Sequence, residues 1–159
     1  KSGALRRSLF SSPVMRQVSK TCGNVNTGIT KNNAGIHENC KAVLIDHAAE
    51  NCFRLMDGVQ AAVTIGDDTT AIAGEILFRF GIPIIGITDG DLDGLIRDAH
   101  VCPGSSVLRL KSGHDDLIGR RVRLTLFDEC DYATFDTIES LKDGIIKLSG
   151  NSIEYVRHF

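Results

Sequence analysis

The sequence predicts an α/β fold: a parallel sheet flanked by helices, joined to a loop-rich basic N-terminal arm. Three observations predict it. Between residues 42 and 88, short apolar runs alternate with stretches of helical periodicity. Each run ends in a turn rich in Asp and Gly. Residues 1–40, by contrast, lack apolar periodicity and are rich in Ser, Asn, Thr and Gly.

In chain order, a short helix over Pro13–Lys20 is compatible with the arm, and Thr21–Gly28 and Lys31–Gly35 read as loops. Ala42–Asp46 is a buried strand. His47–Met56 is expected to be helical, with Ala48, Cys52, Leu55 and Met56 on one face and Asp57-Gly58 closing it. Gln60–Ile65 is a second strand. Asp67 or Asp68 is expected to cap the next helix, which runs to Phe80 with Ile72, Ile76, Leu77 and Phe80 inward. Gly81 ends it, and a third strand begins at Ile82. This βαβαβ order is that of Rossmann-like sheets with right-handed crossovers. Beyond it, Leu95–Ala99 reads as a short helix, Ser106–Leu110 as a fourth strand and Arg121–Phe127 as a half-exposed strand. Ala133–Lys142 reads as a helix. Around Ser149–Asn151, a terminal hairpin competes with a continued helix. Residues 1–40 thus form a basic segment and 41–159 a single α/β domain. The chain starts at Lys1 rather than Met, which leaves room for it to be the C-terminal part of a longer protein.

Composition excludes several classes. No apolar run is long enough to span a membrane, and no signal core opens the chain, so a cytoplasmic protein without membrane contact is expected. Five widely spaced cysteines contain no C-x-x-C pair, which argues against zinc and for free buried thiols. Residues 1–41 carry seven basic side chains and one acid. Of the totals of 18 and 20, this leaves 11 basic and 19 acidic residues in the body. The basic head suits a phosphate backbone or, more plainly, the acidic body of the chain itself.

Function is expected at the carboxyl ends of the three strands, where open α/β sheets bind ligands. Those ends are Asp46-His47, Gly66-Asp67-Asp68-Thr69-Thr70 and Asp89-Gly90-Asp91-Leu92-Asp93. All three are acidic. Two carboxylates ~5 Å apart repel by about 3 kcal/mol at an effective dielectric near 20. Such a rim needs a cation, a shared proton or free solvation. Free amides and hydroxyls at Gly66–Thr70 suit a phosphate or carboxylate, with plain capping as the alternative. His47 beside Asp46 suits a general base or metal ligand, or a histidine that simply packs at a helix start. Asp115-Asp116 reads as a helix cap and Asp128-Glu129-x-Asp131 as a solvated turn. No dinucleotide or P-loop glycine pattern is present, and the EF-hand pattern begun at Asp89 fails at His100.

Gly81-Ile-Pro-Ile-Ile-Gly-Ile-Thr-Asp-Gly-Asp-Leu-Asp-Gly94 resembles the Asp-x-Asp strand of the TOPRIM domains of topoisomerases and primases. The resemblance covers about residues 42–98. It implies Mg²⁺ on Asp89 and Asp91, with Asp93 outer-shell or capping, beside a phosphoester. Where TOPRIM domains end their first strand in Glu, this chain has Asp46-His47, the candidate catalytic pair. The whole chain also resembles an uncharacterised domain family of methanogenic archaea, through Lys31–Gly35, Ile45-Asp-His-Ala-Ala-Glu50 and Thr64-Ile-Gly-Asp-Asp-Thr-Thr70. The expected function is therefore Mg²⁺-assisted action on, or binding of, a phosphate-bearing small molecule or nucleic acid. Whether the chain is an enzyme stays open, and a homo-oligomer is allowed. The alternative is a non-catalytic Rossmann-like module for a metabolite or protein partner, with the aspartates as caps and turn formers.

Overall fold

The computed structural model describes residues 39–90 and 100–159. Its elements are β1 (Cys40–Asp46), α1 (Cys52–Leu55), β2 (Ala61–Ile65), α2 (Asp67–Phe78), β3 (Ile84–Thr88), β4 (Ser106–Leu110), α3 (Asp115–Thr125), β5 (Tyr132–Phe135), α4 (Ile138–Ser149) and β6 (Ile153–His158). They form one six-stranded sheet in the order β5-β1-β2-β3-β4-β6. The four central strands are parallel. Both edges are antiparallel, β5 to β1 and β6 to β4. The expected parallel sheet is thus corrected to a mixed one of the α/β class.

Both faces are covered, which is why the central strands are almost wholly apolar. Val43 and Ile45 of β1, Ala62 of β2 and Ile84 of β3 pack with Cys52, Leu55, Ala73 and Leu77 of α1 and α2. Their alternate neighbours Leu44, Val63, Ile65, Ile85 and Ile87 pack with Ile118 and Val122 of α3 and Leu141 and Ile145 of α4. The pleat assigns each strand residue to one layer or the other. Asp46 pairs with Ile65 and Ile65 with Ile87, so the carboxyl ends of β1, β2 and β3 lie side by side.

Several local expectations change. Arg121–Thr125 belongs to helix α3, because its buried residues Ile118, Gly119 and Val122 recur every three to four positions while Leu124 faces solvent. The alternation in Arg121–Phe127 has no buried side of a sheet to serve. Ala133 lies in β5, and the helix starts only after Thr137, whose side chain and Ser140 form a capping box. That helix continues to Ser149, and Ile153 then enters β6, so no terminal hairpin forms. His47–Met56 yields a 3₁₀ turn at Ala49–Asn51 and the single turn of α1. α2 ends at Phe78, before Phe80; Ile72 in the helix and Phe80 after it are exposed, while Thr70, Ala73, Gly74 and Leu77 are buried. Gly66, not Asp67 or Asp68, is the N-cap of α2. Cys40, Cys52 and Cys102 are free thiols, but Cys130 is disulfide-bonded. The helices expected at 13–20 and 95–99, and the N-terminal arm before residue 39, lie outside the described residues.

Candidate functional site

The sheet brings the three acidic strand ends together, and α3 adds a fourth. At the end of β1, His47 takes a left-handed backbone (φ 49°), which bends the chain away from the strand. Its Nδ1 lies 2.7 Å from Asp46 Oδ1 and its Nε2 lies 3.5 Å from Asp116 Oδ1. A carboxylate only accepts, so Nδ1 carries the proton and, in neutral His47, Nε2 presents its lone pair towards α3. The ring rests over Gly66. A Cβ there would meet Nε2 at 2.9 Å, and the φ of 94° independently calls for glycine.

Asp115 and Asp116 begin α3, immediately after the turn that follows β4. Asp115 is 9% exposed, and its Oδ1 accepts the Asp116 N–H at 2.8 Å. One ligand atom each from His47, Asp115 and Asp116 lie within 4.8 Å of one another, a spacing that can surround one cation. Burial pushes the Asp115 carboxyl above its usual range; Asp89 and Asp116 push it further, while the Asp116 N–H and His47 work against the rise. Asp67 is raised in the same way, first by burial and then by Asp89 and Asp68, with the Gly90 N–H and Arg109 opposing. Asp89 therefore acts on carboxylates to either side of it. His47 is raised, chiefly by its hydrogen bond with Asp46, against the lowering effect of burial.

The remaining expected residues have definite places. Asp89 accepts a hydrogen bond from the Gly113 N–H, and Asp67 Oδ1 accepts one from the Gly90 N–H at 3.3 Å. Asp68 stands in the first turn of α2. Thr69 and Thr70 are buried, and the Thr70 hydroxyl shares a 2.9 Å hydrogen bond with that of Thr64, beneath the rim. Asp91 and Asp93 lie outside the described residues. Sequence reasoning missed the joining of Asp115 and Asp116 to His47. The available signal was a further acidic pair just beyond the carboxyl end of a strand. It also missed Arg123, whose Nη2 lies 3.6 Å from Asp46 and Nη1 3.3 Å from Asp131.

Fold and site together define a mixed α/β domain with an acidic, histidine-bearing rim at the carboxyl ends of its parallel strands. The chain belongs to a family described as uncharacterized protein conserved in archaea (DUF2117), which matches residues 1–130. It is similar to the uncharacterized protein MJ0065 of Methanocaldococcus jannaschii, at 40% identity over 102 residues. That match covers 63% of this chain and 28% of the relative, so the chain spans less than a third of the relative's length. No solved structure matches. Among the described residues, no helix is long and apolar enough to cross a membrane.

Proposed function

We propose that the rim binds a divalent cation, Mg²⁺ or Mn²⁺, and through it a phosphate-bearing ligand. The observation that carries this reading is the convergence of His47 Nε2 with the carboxylates of Asp115 and Asp116. The donor set fits such a cation. Two carboxylates suit hard ions, and the one imidazole favours Mn²⁺ over Mg²⁺. Asp46 supports the ring from behind, as carboxylates commonly do for metal-bound histidines. Asp89 adds negative potential beside the same site, and Asp67 beside Asp89. Asp89 and Asp91, on which the TOPRIM resemblance places Mg²⁺, are proposed as further ligands, with Asp93 outer-shell or capping. A bound cation would neutralise the rim and polarise a phosphoryl oxygen. The residues themselves hold the donors in place and keep His47 in the tautomer that offers Nε2.

Thermal melts in EDTA, Mg²⁺ and Mn²⁺ test this. A site filled about a hundredfold above its dissociation constant adds about 2.7 kcal/mol. That raises the midpoint by roughly 5–10 °C for a chain of this size. Asp116→Asn is expected to abolish the shift; an undiminished shift in that variant removes the site from α3.

A second reading has its own observation. Asp67, Asp89 and Asp115 each accept a backbone N–H, from Gly90, Gly113 and Asp116. In a non-catalytic, Rossmann-like binding module these carboxylates would serve as loop ties alone. Absence of any midpoint shift with either cation would favour that module.

A further inference from the structure

A small cavity opens on the other side of Asp46 from His47. It lies at the carboxyl end of β1 and has a volume of about 80 Å³. Its polar wall is made by Asp46, Asn51, Arg54, Arg123 and Asp131, drawn from the end of β1, the turn before α1, α1 itself, α3 and the turn before β5. Whole-ligand pockets usually enclose about 300–1,000 Å³. This one holds a single charged group, with the rest of any ligand lying outside along the rim.

The charges in the wall are unevenly matched. Asp46 is already shared, Oδ1 with His47 and Oδ2 with Arg123. Asp131 Oδ1 faces Arg123 Nη1 at 3.3 Å. Both carboxylates thus face Arg123, while Arg54 has no carboxylate within ion-pair distance among the described residues. Arg54 is exposed at the mouth, so its guanidinium is free to turn towards an incoming anion. Arg123 holds its two carboxylates through Nη1 and Nη2 at 3.3 Å and 3.6 Å and so keeps donor capacity in reserve. The Asn51 amide adds a neutral donor. Two guanidinium forks from different helices on one small cavity suit a planar or tetrahedral oxyanion.

We propose that this cavity, between Arg54 and Arg123, receives the phosphate group of a phosphomonoester ligand. The proposal deepens, and rests on, the reading of the neighbouring rim as a cation site for a phosphate-bearing ligand. Arg123, Asp46, His47 and Asp116 run in one connected series from the cavity to the cation cluster. A ligand held by one phosphate in the cavity can therefore present a second oxygen-rich group to the cation. This arrangement predicts ligands with two such groups, for example a phosphorylated polyol or a nucleotide.

Calorimetric titration of the full chain with inorganic phosphate in EDTA tests the cavity without the cation. Saturable binding is expected, weakened at least tenfold in Arg54→Ala and left unchanged in Asp116→Asn. Arg54 is exposed, so its replacement is expected to leave the melting midpoint in place, and Mn²⁺ binding to Arg54→Ala is expected to match that of the wild type. Failure of the cation reading would appear separately, as loss of the Mn²⁺ response in the wild type. Equal phosphate affinity in wild type and Arg54→Ala, or no saturable binding, would overturn the proposal. Acetate binding as tightly as phosphate would also overturn it, by making the occupant a carboxylate.

Discussion

His47 gathers more of the rim's chemistry than any other residue. It sits between Asp46 and Asp116, with its side chain half exposed and its backbone in the left-handed region. The hydrogen bond with Asp46 holds its imidazole above the ordinary histidine value of 6.5. The stability it contributes is therefore fully present below pH 6.5 and is lost as the pH rises through the higher folded value. In EDTA, the difference in midpoint between wild type and His47→Asn is expected to shrink steadily as pH is raised through that range. A difference independent of pH would show that the two ion pairs contribute nothing. Asp115 gives the same direction of pH dependence, stability falling as pH rises, but for the opposite reason: its charged form is the unfavourable one. Its raised carboxyl means that the ionised form burdens the fold above the usual carboxylate range. Asp115→Asn keeps an oxygen for the Asp116 N–H and removes the charge. It is expected to raise the metal-free midpoint, because it relieves the burial of an ionised carboxyl. The same variant should lose the cation response. A fall in its metal-free midpoint would mean that Asp115 is a structural carboxylate.

At the scale of elements, α3 decides the site because it carries Asp115 and Asp116 to His47 and Arg123 to Asp46. Its approach to the sheet depends on Gly119. A methyl there would lie 2.6 Å from Ile65 Cδ1 and 2.8 Å from Cγ2. Alanine normally gains about 1 kcal/mol over glycine inside a helix. Here the forced separation from β2 should exceed that gain, for a net loss of about 1–3 kcal/mol in urea unfolding. A stabilised Gly119→Ala would show that α3 can shift freely. The cation affinity of that variant should fall as well, since α3 carries two members of the His47, Asp115 and Asp116 cluster. α4 is a simpler case. Thr137 accepts the Ser140 N–H at 3.1 Å and Ser140 returns the bond to the Thr137 N–H at 3.2 Å. Thr137→Ala should cost about 1 kcal/mol and leave the rim untouched.

At the scale of the molecule, two apolar layers clamp one sheet, and the rim is the edge where the parallel strands and α3 meet. The aligned register of β1, β2 and β3 makes the acidic ends neighbours, so the rim's geometry depends on the sheet being intact. Leu108 is fully buried in β4, within the layer under α3 and α4. Leu108→Ala should cost about 2–5 kcal/mol. Because the Leu108 side chain packs in the apolar layer and not among the charged groups of the rim, the protein that remains folded should bind the cation normally. A selective loss of cation binding at full stability would point to a coupling that packing does not provide.

The sequence by itself determined the α/β class, the four central strands, α2 and the acidic residues at three strand ends. Those features are local: unbroken apolar runs, a helix-length segment between them, and turn residues at fixed places. Tertiary structure alone decided that the edges are antiparallel, because β5 and β6 are partly exposed strands without the unbroken apolar run that marks the central ones. It also decided that Arg121–Thr125 is helical, because only the sheet beneath shows Ile118, Gly119 and Val122 to be the buried side. The meeting of His47 with Asp115 and Asp116 spans nearly seventy residues. No spacing rule reports such a contact; it exists because α3 crosses the face of the sheet and returns its N-terminus to the end of β1.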